Sequence, residues 1–272
     1  MSETVRFFAA QISLLAVVLV LHTYIGLHVI RRTLIFSDLV LDQLAAFGAL
    51  VGIALAIEYG TTGSYLLSLT AVLVGALALA VFKPRNRAIP REAVIGVLYA
   101  MALVGSLLLG DKLSGGSAYV TKTLTGSMLW VTWPIVGITS AVYILLLVFH
   151  VVYRKRFIGL VEDDGSIKRQ KLWDFLFFAT QGIITVLIVP VAGVLLAYAF
   201  LMIPAAIAAL FTRSWGAAVV LGWTVGMAAC VSGVCLSFSW DLPYGPTLIL
   251  CLGLAFLLAL TIRIAIPASE RN

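Results

Sequence analysis

"LHVIRRTLIFSDLVLDQLAAFGALVGI", residues 27–53, is two apolar runs joined at a pair of arginines, with two aspartates set inside the second run. Its reading decides the fold. If both runs cross a bilayer, Arg31 and Arg32 mark the turn at one surface. Asp38 and Asp42 then stand where hydrocarbon tolerates charge poorly, and they need a reason to be there. A spanning helix takes roughly 20 predominantly apolar residues, and the chain offers such runs along most of its 272 residues. The composition is 62% hydrophobic and 11% charged, whereas a soluble domain is about half apolar and about a quarter charged. These features predict an all-α, polytopic integral membrane protein of about 8–9 transmembrane helices, a single transmembrane domain over residues 1–272.

The basic residues give the orientation. All of the 18 except Arg6, Lys112 and Lys122 fall in clusters at Arg31/Arg32, Lys83/Arg85/Arg87/Arg91, Arg154/Lys155/Arg156, Lys168/Arg169/Lys171, Arg213 and Arg263/Arg271. With those clusters in the cytoplasm the positive-inside rule is satisfied. The net charge of +6 is then a topology signal and not a nucleic-acid footprint. The predicted spans are 7–30, 34–57, 64–83, 91–110, 132–153, 172–190, 191–211, 215–238 and 247–267. This places the N-terminus outside and the C-terminus in the cytoplasm. Pro190 and Gly193 interrupt the stretch 172–211, which reads as two crossings or as one broken helix and a short one.

"EYGTTGS" (58–64), "GDKLSGGS" (110–117) and "SWDLPYGP" (239–246) are outer turns; "KPRNRAIPRE" (83–92) and "YRKRFIGLVEDDGSIKRQK" (153–171) are inner loops. The segment 111–131 starts as a loop, and its "TLTGSMLW" end lies at the outer interface with Trp130 and Trp133 as aromatic anchors. The first run is too long for a signal peptide and lacks a small-residue cleavage pattern. Cys230, Cys235 and Cys251 lack CxxC spacing and read as packing residues.

Asp38 and Asp42 are spaced i, i+4, so they share one helix face about 6 Å apart along the axis. An ionised carboxylate in hydrocarbon costs at least about 2.5 kcal/mol, so a cation or a basic partner is expected. Two readings stand: a solvated cap paired with Arg31 and Arg32, which suits Asp38 best, or the lining of a pathway, which suits Asp42 and Gln43. Of the histidines His22, His28 and His150, His28 is the most interesting because its helix leads directly into the aspartate helix. Gln181 is a further buried polar candidate. HExxH, GxSxG and GxxxxGK patterns are all missing from the sequence, so no enzyme reading gains support and any ATP hydrolysis belongs to another chain.

Three stretches together resemble the membrane subunits of bacterial ABC importers for zinc, manganese and iron. They are residues 27–53; "PREAVIGVLYAMALVGSLLLGDK" (90–112) with "LTGSMLWVTW" (124–133); and "VAGVLLAYAFLMIPAAIAALFTRSWGAAVVLGWTVG" (191–226) with "DLPYGPTLIL" (241–250). The resemblance implies a type II ABC importer-like permease, working as a homodimer on a cytoplasmic ATPase dimer and fed by an external metal-binding protein. It implies that Asp38 matches the aspartate of the family's D-x-x-S-H helix motif. Asp42 stands at the histidine position and Leu41 at the serine position, a departure that suggests a divergent branch. Carboxylate in place of imidazole favours harder ions such as manganese or iron(II), although carboxylates also bind zinc. Direct ligation and simple attraction of the ion both remain open.

The same resemblance places an ATPase-coupling helix within Met202–Gly216, with Pro204, Ala205, Ala208 and Arg213 as its residues. Pro204 is expected to break the span so that the chain turns along the surface. No cofactor is expected beyond the transported ion. The rival readings are a permease for a metal chelate or vitamin, and a non-transporting membrane protein.

Overall fold

The computed structural model describes residues 3–83, 89–126, 131–162 and 167–265. Arg85, Arg87, Trp130 and Arg271 therefore lie outside the described residues. The elements are α1 (Glu3–Arg31), α2 (Phe36–Ala54), α3 (Thr62–Val81), α4 (Arg91–Lys112), α5 (Gly116–Thr125), α6 (Trp133–Val152), α7 (Arg154–Glu162), α8 (Gln170–Ala192), α9 (Val194–Phe211), α10 (Trp215–Trp240) and α11 (Tyr244–Ala265). Among the described residues, nine of these helices are long and apolar enough to cross a membrane. A helix satisfies every interior backbone donor and acceptor within itself, which lipid cannot do for it. Large apolar side chains such as Met101, Leu108, Leu145 and Leu258 stay exposed on the outer faces.

The chain forms two compact units: residues 1–30, 128–143 and 199–272, and residues 31–127 and 144–198. In the first, α10 packs against α1 and the end of α9 through small residues. A Cβ at Gly222 would lie 2.6 Å from Thr23 Cγ2 and 2.7 Å from the Pro204 carbonyl oxygen, so glycine there lets the helices approach closely. The Trp223 indole donates to the Ala16 carbonyl at 2.9 Å. α9 continues through Pro204 to Phe211, so the expected break at this proline does not occur. Pro204 instead packs against Gly226 of α10.

In the second unit, α2 packs on α3, α4 and α8, and α3 also packs on α8. Gly182 on α8 makes this possible, because a Cβ there would lie 1.9 Å from Val72 Cγ1 on α3. The helix ends are capped from neighbouring elements. Glu92 Oε1 on α4 accepts from the Phe36 N–H at the start of α2 (2.8 Å), placing a carboxylate at the positive end of that helix. Arg91 Nη2 donates to the Leu79 carbonyl near the end of α3 (2.9 Å).

The stretch 172–211 resolves into two helices. α8 runs through Pro190, and the break falls at Gly193, whose φ of 78° suits glycine. The polar segments expected to be loops contain two short helices, α5 and α7. α7 is amphipathic, with Phe157 and Leu160 buried while Arg154, Lys155 and Arg156 are exposed. Cys230 is a buried packing residue as expected, but Cys235 is exposed.

Candidate functional site

Asp38 and Asp42 sit on the inward face of α2 with 2% and 1% of their surface exposed. The solvated-cap reading does not hold. Arg32 turns to Asp174 of α8 and forms an ion pair with it, both side chains nearly fully buried. The two α2 carboxylates find uncharged partners on α8. Gln181 Nε2 donates to Asp38 Oδ1 at 2.9 Å, and Thr185 Oγ1 donates to Asp42 Oδ1 at 3.0 Å. Asp42 Oδ2, Gln181 Oε1 and Gln43 Nε2 are buried without a hydrogen-bond partner among the described residues.

The α8 side of this arrangement is one stripe. Asp174, Phe178, Gln181 and Thr185 are spaced four, three and four, which keeps them on one helix face. Both bonds to α2 span 143 residues of sequence, so α2 and α8 lie parallel and in register. That agrees with a topology in which each starts at the basic surface. The layers from that surface inward are the Arg32–Asp174 pair, then Phe178, then Asp38 with Gln181, then Asp42 with Thr185. The Arg32 guanidinium lies 5.2 Å from the Phe177 ring centre and 5.9 Å from that of Phe178. Arg91 lies 5.5 Å from the Phe178 ring centre. Two guanidinium groups thus lie within reach of the Phe178 ring, a favourable placement for an aromatic face.

Beyond Asp42 a small cavity of about 10 Å³ is lined by Ala45, Ala49, Tyr59, Ser64, Ser68 and Thr123, among others. Burial pushes the Tyr59 phenol up to about 12, so it stays a neutral hydroxyl. The Ser68 hydroxyl is taken up by the Ala45 carbonyl at 2.9 Å.

The remaining expected residues fall elsewhere. His28 belongs to the first unit and packs against Trp215 (ring centres 4.3 Å apart) and Tyr24 (4.8 Å). Ala205 and Ala208 are fully buried with Leu27 and Ala218, whereas Arg213 is exposed in the turn between α9 and α10. His22 bonds the Val18 carbonyl (3.1 Å) and stacks on Tyr143, as a packing histidine should. His150 likewise bonds Thr180 (2.9 Å) and stacks on Phe157 of α7, so it ties three helices of the second unit together. No group of three or more His, Cys, Asp or Glu side chains converges among the described residues. Thr185 and Asp174 were not anticipated, yet the stripe on α8 is a signal that could have found them.

Nine helices long and apolar enough to cross a membrane, among the described residues, with a buried carboxylate pair on α2, define the class as a multi-pass helical membrane protein. The chain matches the model of the ABC 3 transport family over residues 4–263, and it belongs to that family. The fold is shared with PsaBC from Streptococcus pneumoniae (in complex with Fab), at a TM-score of 0.76 and 20% identity, over 93% of this chain and 90% of that one. A putative metal-chelate type ABC transporter in an inward-facing conformation gives a TM-score of 0.67 at 14% identity, over 92% and 85% of the two chains. An uncharacterized membrane protein of Synechocystis is 29% identical over 180 residues, 63% of each chain. A probable metal transport system membrane protein of Chlamydia pneumoniae is 26% identical, covering 78% of this chain and 75% of its own. The manganese transport system membrane protein MntC of Halalkalibacterium halodurans is 24% identical, over 70% and 67%.

Proposed function

We propose that the chain is the permease subunit, one functional domain, of an importer that carries a divalent transition metal ion (zinc, manganese or iron) across a bacterial inner membrane. The observation that carries this reading is the pair of buried carboxylates on α2, with Asp42 Oδ2 and Gln181 Oε1 left without partners beside them. Carboxylates at that depth are costly unless a cation meets them. The donors available are all oxygen: Asp38, Asp42, the Gln181 amide oxygen and the Thr185 hydroxyl. An oxygen set favours the harder ions, manganese and iron(II), over zinc, which prefers nitrogen and sulfur. The relatives named for manganese and metal transport support the same substrate class.

A chelate permease is the second reading, favoured by the neighbour named for a metal chelate and by a relative named for chelated iron in Yersinia pestis. The cavity that begins one helical turn beyond Asp42, at Ala45 and Ala46, has room for about one water, which suits passage of a bare ion better than a chelate.

In this reading the chain performs no catalysis and holds no resident cofactor. A separate cytoplasmic ATPase dimer hydrolyses ATP, an external binding protein delivers the ion, and a second copy of the permease completes the pathway. The C-terminus is cytoplasmic. The exposed turn at Arg213 meets the ATPase, and buried Pro204, Ala205 and Ala208 act by holding α9 against its neighbours. The test is metal uptake by the assembled transporter. Asp42→Ala is expected to abolish uptake at an unchanged level of complex, and Asp42→His to shift preference toward zinc. Normal uptake by Asp42→Ala would sink the proposal.

A further inference from the structure

Two features of the second unit remain without a role, and they adjoin one another. The first is a cavity of about 240 Å³ at the basic ends of α2, α3 and α4, lined by Arg31, Arg32, Thr33, Lys83 and Arg91. Four cationic side chains meet there. The Arg32 side chain is only 6% exposed, and while it pairs with Asp174, its Nη1 has no hydrogen-bond partner among the described residues. A buried guanidinium nitrogen at the wall of a cationic cavity calls for an acceptor oxygen.

The second feature is an apolar groove of about 260 Å³ on the outward side of the same three helices, with Leu44, Phe47, Gly75, Ala78, Met101 and Gly105 among its walls. Arg91, Leu98, Ala102 and Gly105 follow one another at +7, +11 and +14, so the cavity and the groove share one face of α4. At 1.5 Å per residue, the groove begins about 10 Å from Arg91 and reaches about 21 Å along the axis. A lipid leaflet has about 15 Å of hydrocarbon depth, half of the bilayer's roughly 30 Å. The groove therefore continues the cavity into the membrane at the depth of an acyl chain.

We propose that this is a binding site for one anionic phospholipid, with its phosphate in the Arg31/Arg32/Lys83/Arg91 cavity and an acyl chain in the groove between α2, α3 and α4. Basic pockets between transmembrane helices at the membrane surface suit such headgroups. α7 adds to the attraction, because Leu160 lines the cavity while Arg154, Lys155 and Arg156 on the same helix face outward. An amphipathic basic helix of this kind lies in the headgroup layer. The phosphate would take up the spare Arg32 nitrogen, so the lipid would brace the ion pair that sits two layers from Asp38, with Phe178 between.

The experiment uses the full chain, delipidated in detergent and titrated with phosphatidylglycerol or phosphatidylcholine, with bound lipid counted by native mass spectrometry. One phosphatidylglycerol is expected to remain bound at a concentration where phosphatidylcholine does not. Arg31→Gln and Lys83→Gln should each weaken it about fivefold, a factor equal to about 1 kcal/mol per charge. Gly105→Leu keeps every charge but fills the groove, and it should also displace the lipid. A Cβ at Gly105 meets only the Phe47 ring, at 3.5 Å, so that helix can carry the substitution. Equal retention of the two lipids overturns the proposal, as does unaltered phosphatidylglycerol binding in Lys83→Gln and Gly105→Leu together. Inorganic phosphate is the remaining probe. If it displaces the lipid from wild type at millimolar concentration while Gly105→Leu binds lipid normally, the cavity serves a soluble phosphate and the lipid assignment fails.

Discussion

Removing the Asp174 carboxylate should unfold this protein more readily than its single, inconspicuous position suggests. The Arg32 and Asp174 side chains are 6% and 2% exposed, and the guanidinium is wedged over Phe177 and Phe178. Taking one member from a buried pair leaves the other charge uncompensated, at a cost of about 3–5 kcal/mol. An exposed pair would cost about 0–1 kcal/mol. Asp174→Ala should therefore lower the midpoint of thermal unfolding by about 6–20 °C, taking about 2–4 °C per kcal/mol for a chain of this size. The double variant Arg32→Met/Asp174→Leu removes both charges and keeps the volume, so it should recover most of that loss. Unfolding can be followed in detergent with a thiol-reactive fluorophore in a Cys235→Ser/Cys251→Ser background, where the remaining Cys230 is fully buried in the folded protein. A cost below about 1 kcal/mol for Asp174→Ala would refute the argument. A double variant that simply adds the two single losses would also refute it, since it would show that the residues are not coupled.

Gln181→Leu strips Asp38 of its donor; metal uptake should fall at least tenfold while the amount of assembled complex drops only modestly. Gly182→Ala puts a methyl into Val72, and should cost about 1–3 kcal/mol of stability by thermal unfolding. Val72→Ala as a second change should return most of it, because the clash is with a side chain. Gly193→Ala offers no such remedy. Its φ is 78°, and the added Cβ would lie 2.3 Å from the Gly126 backbone nitrogen, so low yield of folded protein in size-exclusion chromatography is expected whatever is trimmed nearby.

The crossings were legible because each is an apolar run of about helix-spanning length, and lipid admits only helices or closed barrels, whose strands are half as long. Asp38 and Asp42 were legible for the same reason, as exceptions inside such a run. Their partners were less so. Gln181 stood out as polar, but Thr185 did not, because a threonine can satisfy its hydroxyl on its own helix. Arg32 was expected to serve Asp38, six residues away, and the structure sends it to α8 instead. Proximity in sequence could not decide that; the packing of α2 against α8 does. α5 and α7 escaped notice because they are short and rich in polar residues. α7 is a helix because Phe157 and Leu160 bury one face of it, which only the folded neighbours reveal. The proline at 204 misled in the opposite sense, since close packing on α10 supports a helix that isolated propensity would end.

The equal 143-residue offset of the two hydrogen bonds between α2 and α8 has a kinematic consequence. Two rungs of identical offset make a short ladder. Sliding one rail along the other breaks both rungs at once, and the next position of comparable fit lies a full helical turn away. Tilting the rails about the Arg32–Asp174 end opens the rungs in order, the Asp42 rung first and the Asp38 rung second. A rocking permease would thus release its two carboxylates one after the other, and a sliding one would release them together.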